Sequence, residues 1–226
     1  VADTSTIASL ATAGGTLILA VATFSSTRSA NRAARVSEQA LKVGLRPVLF
    51  NARPQDPSQK VGYADEHWLM LRDGLAAVQP SAENLYLSIP LRNVGSGLAV
   101  LHGWRLWPER SSADMPPPDL EDFRRLGRDL YVPAGDVGFW QAALRDREDP
   151  LYEPLREAAE TRTAITVDIL YGDHEGGQRT VTRFAILPRA SEDSEPWLWA
   201  CSTSRHWNID RADPRPSDFS APPAGH

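Results

Sequence analysis

The chain has 226 residues, 42% of them apolar, and a net charge of −5. That length suits one main domain with appendages and enough apolar content for a sizeable core. The single cysteine, Cys201, excludes an intrachain disulfide and a cysteine-based zinc site, and the acidic balance makes nucleic acid a poor partner.

The first element in chain order is the stretch 4–27, which contains no charged residue. An uncharged run of 18 or more residues is long enough to span a bilayer as a helix. The expected membrane-anchor residues are Ile7, Leu10, Leu17, Ile18, Leu19, Val21 and Phe24. Positive charge follows the run instead of preceding it, which argues against a secretory signal. The same asymmetry puts the N-terminus outside and the rest of the chain in the cytoplasm, at the cell membrane.

A basic helical stalk is expected over 28–46. Arg28, Arg32, Arg35, Lys42 and Arg46 oppose only Asp3 and Glu38 up to that point, a net of +3 that leaves −8 for the remainder. Arg28, Arg32 and Arg35 would contact lipid headgroups, each adding about 1 kcal/mol of attraction to an anionic leaflet. Ala30, Ala33, Ala34, Ser37, Ala40 and Leu41 recur at helical spacing as one small-residue face that could serve self-association. Gly44 and then Pro47 end the helix.

From 47 the apolar period changes to two. Strands are expected in "RPVLFNARP", "EHWLMLR", "NLYLSIPLRNVG", "GLAVLHGWRLWP", "VGFWQAAL", "TAITVDILYG" and "RTVTRFAILP". Pro90 marks its run as an edge strand or a bulge. Short helices are expected in "PPDLEDFRRLGR" and "DPLYEPLREAAE". In the first, Arg124 with Arg128 and Arg125 with Asp129 would be neighbours one turn apart. The strand count implies a mainly β fold: an antiparallel, Ig-like β-sandwich over 47–210, preceded by a transmembrane helix (1–27) and followed by a disordered tail (211–226).

Two short motifs carry a resemblance. One is Asn93, Gly95, Gly97 and Ala99; the other is Tyr171, Asp173 and Gly176. With the order of parts over most of 5–187, the chain resembles a class of bacterial single-pass membrane proteins common in actinobacteria. That resemblance implies location and fold. The class brings no established activity, catalytic residue or cofactor to carry over.

The motif residues read as structural turns: Asn93, Gly95 and Gly97 through positive φ between two strands, Gly176 and Gly177 through a tight hairpin. Asn93-x-Gly-x-Gly lacks the third glycine of a phosphate-binding loop, since Val100 stands there. No two histidines have the spacing of a helical zinc pair, and no Gly-x-Ser-x-Gly elbow occurs. Cys201 with His206 five residues on reads as a packed hydrophobe beside a structural histidine. Asp173, His174 and Glu175 are adjacent in "YGDHEGGQRT", but successive residues of extended chain point to opposite sides, so a turn is the preferred reading over a metal site.

Seven tryptophans leave some for a surface. Trp197 and Trp199, with the hairpin tip His174 and Glu175, are the candidate partner surface. The expected function is a non-catalytic, membrane-anchored interaction or assembly protein, with no metal and no cofactor. Its partners would be membrane lipid and another protein or membrane complex, or a second copy through the helix. The alternatives are a membrane-tethered ligand sensor and a metal-dependent enzyme using Asp173, His174 and Glu175.

Overall fold

The computed structural model describes residues 4–111, 118–190 and 197–211, without the side chains of 4–13, 18, 39 and 41–43. It divides into two compact units at the Gly44/Leu45 boundary.

The first unit is one helix, α1 (Thr4–Gly44), 41 residues long, or roughly 60 Å at 1.5 Å per residue. The helix ends at Gly44, where the sequence places the stop. Hydroxyls in its middle turn back on their own backbone: Thr23 donates to the Leu19 carbonyl at 2.8 Å and Thr27 to the Thr23 carbonyl at 2.9 Å. Leu17, Leu19, Val21 and Phe24 are 62–70% exposed, and Arg28, Arg32 and Arg35 are exposed beyond them. The side chains of Ile7, Leu10 and Ile18 lie outside the described residues. The transmembrane expectation needs correction on one point: among the described residues, no helix is long and apolar enough to cross a membrane. Threonine, serine, alanine and the Gly14-Gly15 pair dilute the large apolar side chains.

The second unit is mainly β. Its strands are β1 (Leu49–Asn51), β2 (Gln59–Gly62), β3 (Trp68–Leu71), β4 (Ala77–Pro80), β5 (Leu85–Asn93), β6 (Ala99–Trp107), β7 (Arg124–Val132), β8 (Val137–Leu144), β9 (Ile165–Gly172), β10 (Thr180–Ala190) and β11 (Trp197–Asn208), with one helix, α2 (Tyr152–Thr161). All pairings are antiparallel. One sheet has β5 at its centre, β8 on one side and both β1 and β4 on the other; the second runs β11-β10-β9-β6-β7. Their inner faces share one core. Leu87, Ile89 and Trp140 come from the first sheet, Ile165, Val167, Ile169 and Phe184 from the second, all fully buried. The β2/β3 hairpin covers the outer face of the first sheet through Val61, Leu71 and Tyr86.

Several expectations change. Pro90 lies in an inner strand, not an edge. Its carbonyl accepts from the Ala52 amide at 3.0 Å, in the gap where β1 gives way to β4. A residue's N and O point to the same side of a strand, so the missing N–H of proline falls in that gap and breaks no ladder bond. The helix expected in 117–128 is a single 3-10 turn, Leu120–Asp122, capped by Asp119, followed by β7. Alternation decides it: Leu126 and Leu130 pack against the core once the chain is extended. Arg124 then pairs with Asp149 instead of with its own helix. The polar stretch after 190 contains the twelve-residue β11; residues 212–226, the expected tail, lie outside those described. Strands β2 and β4 have no counterpart in the sequence expectation.

Gly95 and Gly97 do not take positive φ. They are needed because the segment 45–48 lies on top of them. A Cβ at Gly97 would sit 1.6 Å from the Leu45 carbonyl oxygen, and one at Gly95 2.3 Å from that of Arg46. Asn93, fully buried, ties the crossing together. Its Oδ1 accepts from the Val48 and Gly95 amides (3.1 and 3.0 Å), and its Nδ2 donates to the Gly97 and Val132 carbonyls (2.7 and 3.0 Å).

Candidate functional site

The two sheets end on one side in β7 and β8, joined by the turn at 133–136. Between them opens a groove of about 650 Å³. Trp104 lines it from the core, its ring edge-on to Trp140 at 5.8 Å. β7 supplies Arg125 and Arg128; the β2/β3 hairpin supplies Lys60 and Trp68; Arg145 follows β8. Four cations therefore line the groove, and no carboxylate is among the described lining residues.

Each cation has a local reason for its place. The register between β6 and β7 slips, from Leu101 opposite Leu130 to Gly103 opposite Arg125, so 126–129 bulge from the sheet. Arg128, in that bulge, reaches across to donate to Gln141 Oε1 at 3.0 Å. Gly62 faces Trp68 across the hairpin, where an added Cβ would come within 2.6 Å of the indole. The ring thus lies flat over a bare backbone, 57% exposed, with the Lys60 ammonium 4.4 Å from its centroid. Tyr63, the hydroxyl in the lining, donates to the Leu87 carbonyl at 2.9 Å, and burial pushes its phenol up, so it is no base. Guanidinium, ammonium and aromatic groups around exposed backbone equip the groove to hold an anionic chain.

Asp65 accepts from the Tyr86 hydroxyl at 2.6 Å and from Arg145 at 3.3 Å, and the Tyr86 bond chiefly lowers its pKa to about 2. A depressed folded pKa adds stability that is present above the unfolded value of about 3.9 and disappears as pH falls toward 2. Tyr86→Phe should therefore flatten the acid limb of the stability–pH curve between about pH 4 and pH 2. Urea midpoints measured across that window check it; an unchanged slope would rule the bond out as the cause.

The structure separates the residues expected to form a partner surface. Asp173 to Gly177 lie in the seven-residue connection between β9 and β10, 173–179, with Gly176 at φ +75° and the Asp173 carboxylate accepting from the Gly177 amide at 2.8 Å. His174 and Glu175 are exposed at its tip. Trp197 pairs with Ala190 at the far end of β10, while Thr180, next to the hairpin, pairs with Asn208. Eleven residues of strand put Trp197 and the tip roughly 35 Å apart, so the four residues form no single surface. Trp199 is partly packed on the core, and Trp197 carries the Arg162 guanidinium 4.3 Å from its ring centroid.

Among the described residues, no three His, Cys, Asp or Glu side chains are grouped to hold a metal ion. Burial pushes the Cys201 thiol up, which favours its protonated form. His206 Nδ1 lies 2.7 Å from Thr182 Oγ1, which also meets the Tyr171 hydroxyl at 3.0 Å. Thr182 is wholly buried, which shuts its oxygen off from any substrate.

Sequence reasoning missed an ion pair on the outer face of the second sheet. Asp168 and Arg183 sit opposite each other on β9 and β10, 0% and 3% exposed, with paired contacts of 2.7 and 2.8 Å. Arg183 lies between the rings of Trp107 and Trp207, 4.9 Å from each centroid. The Arg105 guanidinium also lies over Trp107, at 4.3 Å, and that of Arg205 over Trp207, at 5.8 Å. The signal was present as two Arg-x-Trp steps, 105–107 and 205–207, which put each arginine and tryptophan on one face of a strand.

No protein-family model matches the chain, and no curated protein matches it. Among solved structures it is similar to a selenomethionine-labelled β-glucosidase from Kluyveromyces marxianus, at 12% identity, over 61% of this chain and 13% of that one. The TM-score is 0.20, so the likeness carries no argument about fold or activity.

Proposed function

We propose that the chain is a membrane-attached, cytoplasm-facing β-sandwich of the Ig-like kind that docks a protein partner and performs no catalysis. The groove between β7 and β8 carries the docking part: four cations and an open aromatic ring surround a place where two sheets end. Attachment is supported by α1. Its 4–27 stretch has no charge, its described large apolar side chains are uncovered, the Thr23 and Thr27 hydroxyls bond to their own helix, and three exposed arginines follow. Lipid is the cover that fits this order of residues.

The test is fractionation of the full chain expressed in a bacterium. It should pellet with membranes and resist alkaline carbonate, and replacing both Leu17 and Val21 with glutamate should move most of it to the soluble fraction. Complete release of the unaltered chain by carbonate would overturn the attachment. A cross-linked pair of helices in the soluble fraction would identify a second copy as the cover instead.

A further inference from the structure

The geometry points to a specific occupant of the groove: an extended, acidic segment of a partner protein that joins the first sheet as a strand along the free edge of β8. This rests on the docking reading above.

β8 pairs with β5 over eight residues without a slip, and no other strand pairs with it among the described residues. The direction of its free groups follows from β5. Asn93 bonds toward the β8 side, through the Asp136 carbonyl and the Gly135 amide, while Pro90 bonds toward β1. Odd-numbered β5 residues therefore face β8, and their partners on β8 are Gly138, Trp140, Ala142 and Leu144. The N–H and C=O of Phe139, Gln141 and Ala143 point the other way, and no backbone partner meets them among the described residues.

Natural sheets blunt such edges with short strands, prolines, charges or bulges. The other edges here have these devices. β1 is three residues long, β4 is four and ends in Pro80, β7 bulges at 126–129, and β11 slips at Ser204 and carries Arg205. β8, reading VGFWQAAL, has none of them. An open, regular edge of this kind accepts an added strand through main-chain hydrogen bonds.

The surrounding charge selects what is added. Side chains of an added strand alternate between the β7 wall, with Arg125 and Arg128, and the hairpin wall, with Lys60 and Trp68. A carboxylate would replace the neutral Gln141 oxygen as the partner of Arg128, exchanging a neutral acceptor for a charged one. Residues 47–226 carry a net charge of −8, so four cations around one groove set it apart within the sandwich as a place that attracts an acidic segment.

The experiment uses the full chain in nanodiscs of neutral phosphatidylcholine and three fluorescent nonapeptides. One alternates Glu and Val, one alternates Lys and Val, and one is the Glu/Val peptide with alternate backbone amides N-methylated. The Glu/Val peptide should bind at least tenfold more tightly than either of the others. Ala143→Pro, which removes one outward N–H and leaves the β5 ladder intact, should weaken it at least tenfold without shifting the unfolding midpoint of the sandwich. Arg125→Glu with Arg128→Glu should weaken it similarly. Equal binding of the N-methylated peptide or of Ala143→Pro would overturn strand addition while leaving the docking reading in place. Failure of all three peptides, with the groove variants instead losing affinity for anionic vesicles, would overturn both.

Discussion

Asp168→Ala lowers the stability of the sandwich by about 3–5 kcal/mol, the expected result of leaving one charge of a buried pair without its partner. The Arg183 guanidinium is 3% exposed and is held by two contacts to Asp168 and one, of 2.7 Å, to the Ser111 hydroxyl. Without the carboxylate it has only the Ser111 hydroxyl and the faces of Trp107 and Trp207, and one neutral hydrogen bond with cation–π attraction of about 2 kcal/mol does not replace a desolvated ion pair. Replacing both partners, Asp168→Leu with Arg183→Met, should recover most of the loss, because the apolar pair needs no solvation.

The single change Arg183→Met carries a pH signature. Burial already pushes the Asp168 carboxyl up, and Arg183 draws it back. Removing the guanidinium raises it further, so the folded form then prefers the protonated acid. Stability contributed by a raised carboxyl is present below the unfolded pKa and lost as pH rises through the folded one. Arg183→Met should therefore be less destabilising near pH 4 than near pH 8. Urea midpoints at the two pH values decide it, and a pH-independent loss would assign the effect to packing of the indoles alone.

This pair also shows what the sequence withholds. Strand alternation was legible along Ile165, Val167, Ile169 and Tyr171, because those four face the core and all are fully buried. The opposite face, with Thr166 and Asp168, reads as solvent-facing by the same alternation, yet both are buried. Thr166 is capped by the Glu109 carbonyl and the Ser111 amide, and Asp168 by Arg183 held between Trp107 and Trp207; only sheet register brings these distant stretches together. β7 was misread for a related reason. "LEDFRRLGR" has charges one helical turn apart, and pairing with β6 overrides that local preference.

The groove was less legible still. Lys60, Trp68, Trp104, Arg125, Arg128 and Arg145 come from four separate stretches of chain. No one of these has a motif, since an arginine in an edge bulge and a lysine in a hairpin are ordinary surface residues by themselves. Their meaning comes from two sheet edges ending on the same side. By contrast the turn in "YGDHEGGQRT" is legible from its own residues, although the β9/β10 connection runs over seven residues, 173–179, and is not the tight hairpin expected.

Gly97→Ala should be the most damaging single-methyl change in the chain, at about 3 kcal/mol or more, because the added atom collides with backbone and not with a side-chain tip. The Leu45 carbonyl oxygen would lie 1.6 Å from the new Cβ. It can retreat only if the segment 45–48 lifts. That segment is fixed by the Ser96 amide on the Arg46 carbonyl (3.1 Å), the Val94 amide on the Val48 carbonyl (2.8 Å), the Asn93 side chain on Val48, and the Leu49 amide on the Tyr171 hydroxyl (3.0 Å). Each bond lost there costs about 1 kcal/mol, and more where a buried group such as Asn93 is left unsatisfied. The hairpin glycines supply the comparison. Gly176→Ala has open space but a φ of +75°, so it should cost about 1 kcal/mol. Gly177→Ala meets only the Asp173 carboxylate, at 3.7 Å, and should be near neutral. Urea unfolding of the three variants should rank them in that order. The ranking separates two roles that look alike in the sequence: Gly97 is required by a strand of chain crossing over it, Gly176 by its own backbone angle. If Gly97→Ala proved no worse than Gly177→Ala, the segment 45–48 would have to be free to move, and the Asn93 crossing could not be what seats the start of the sandwich.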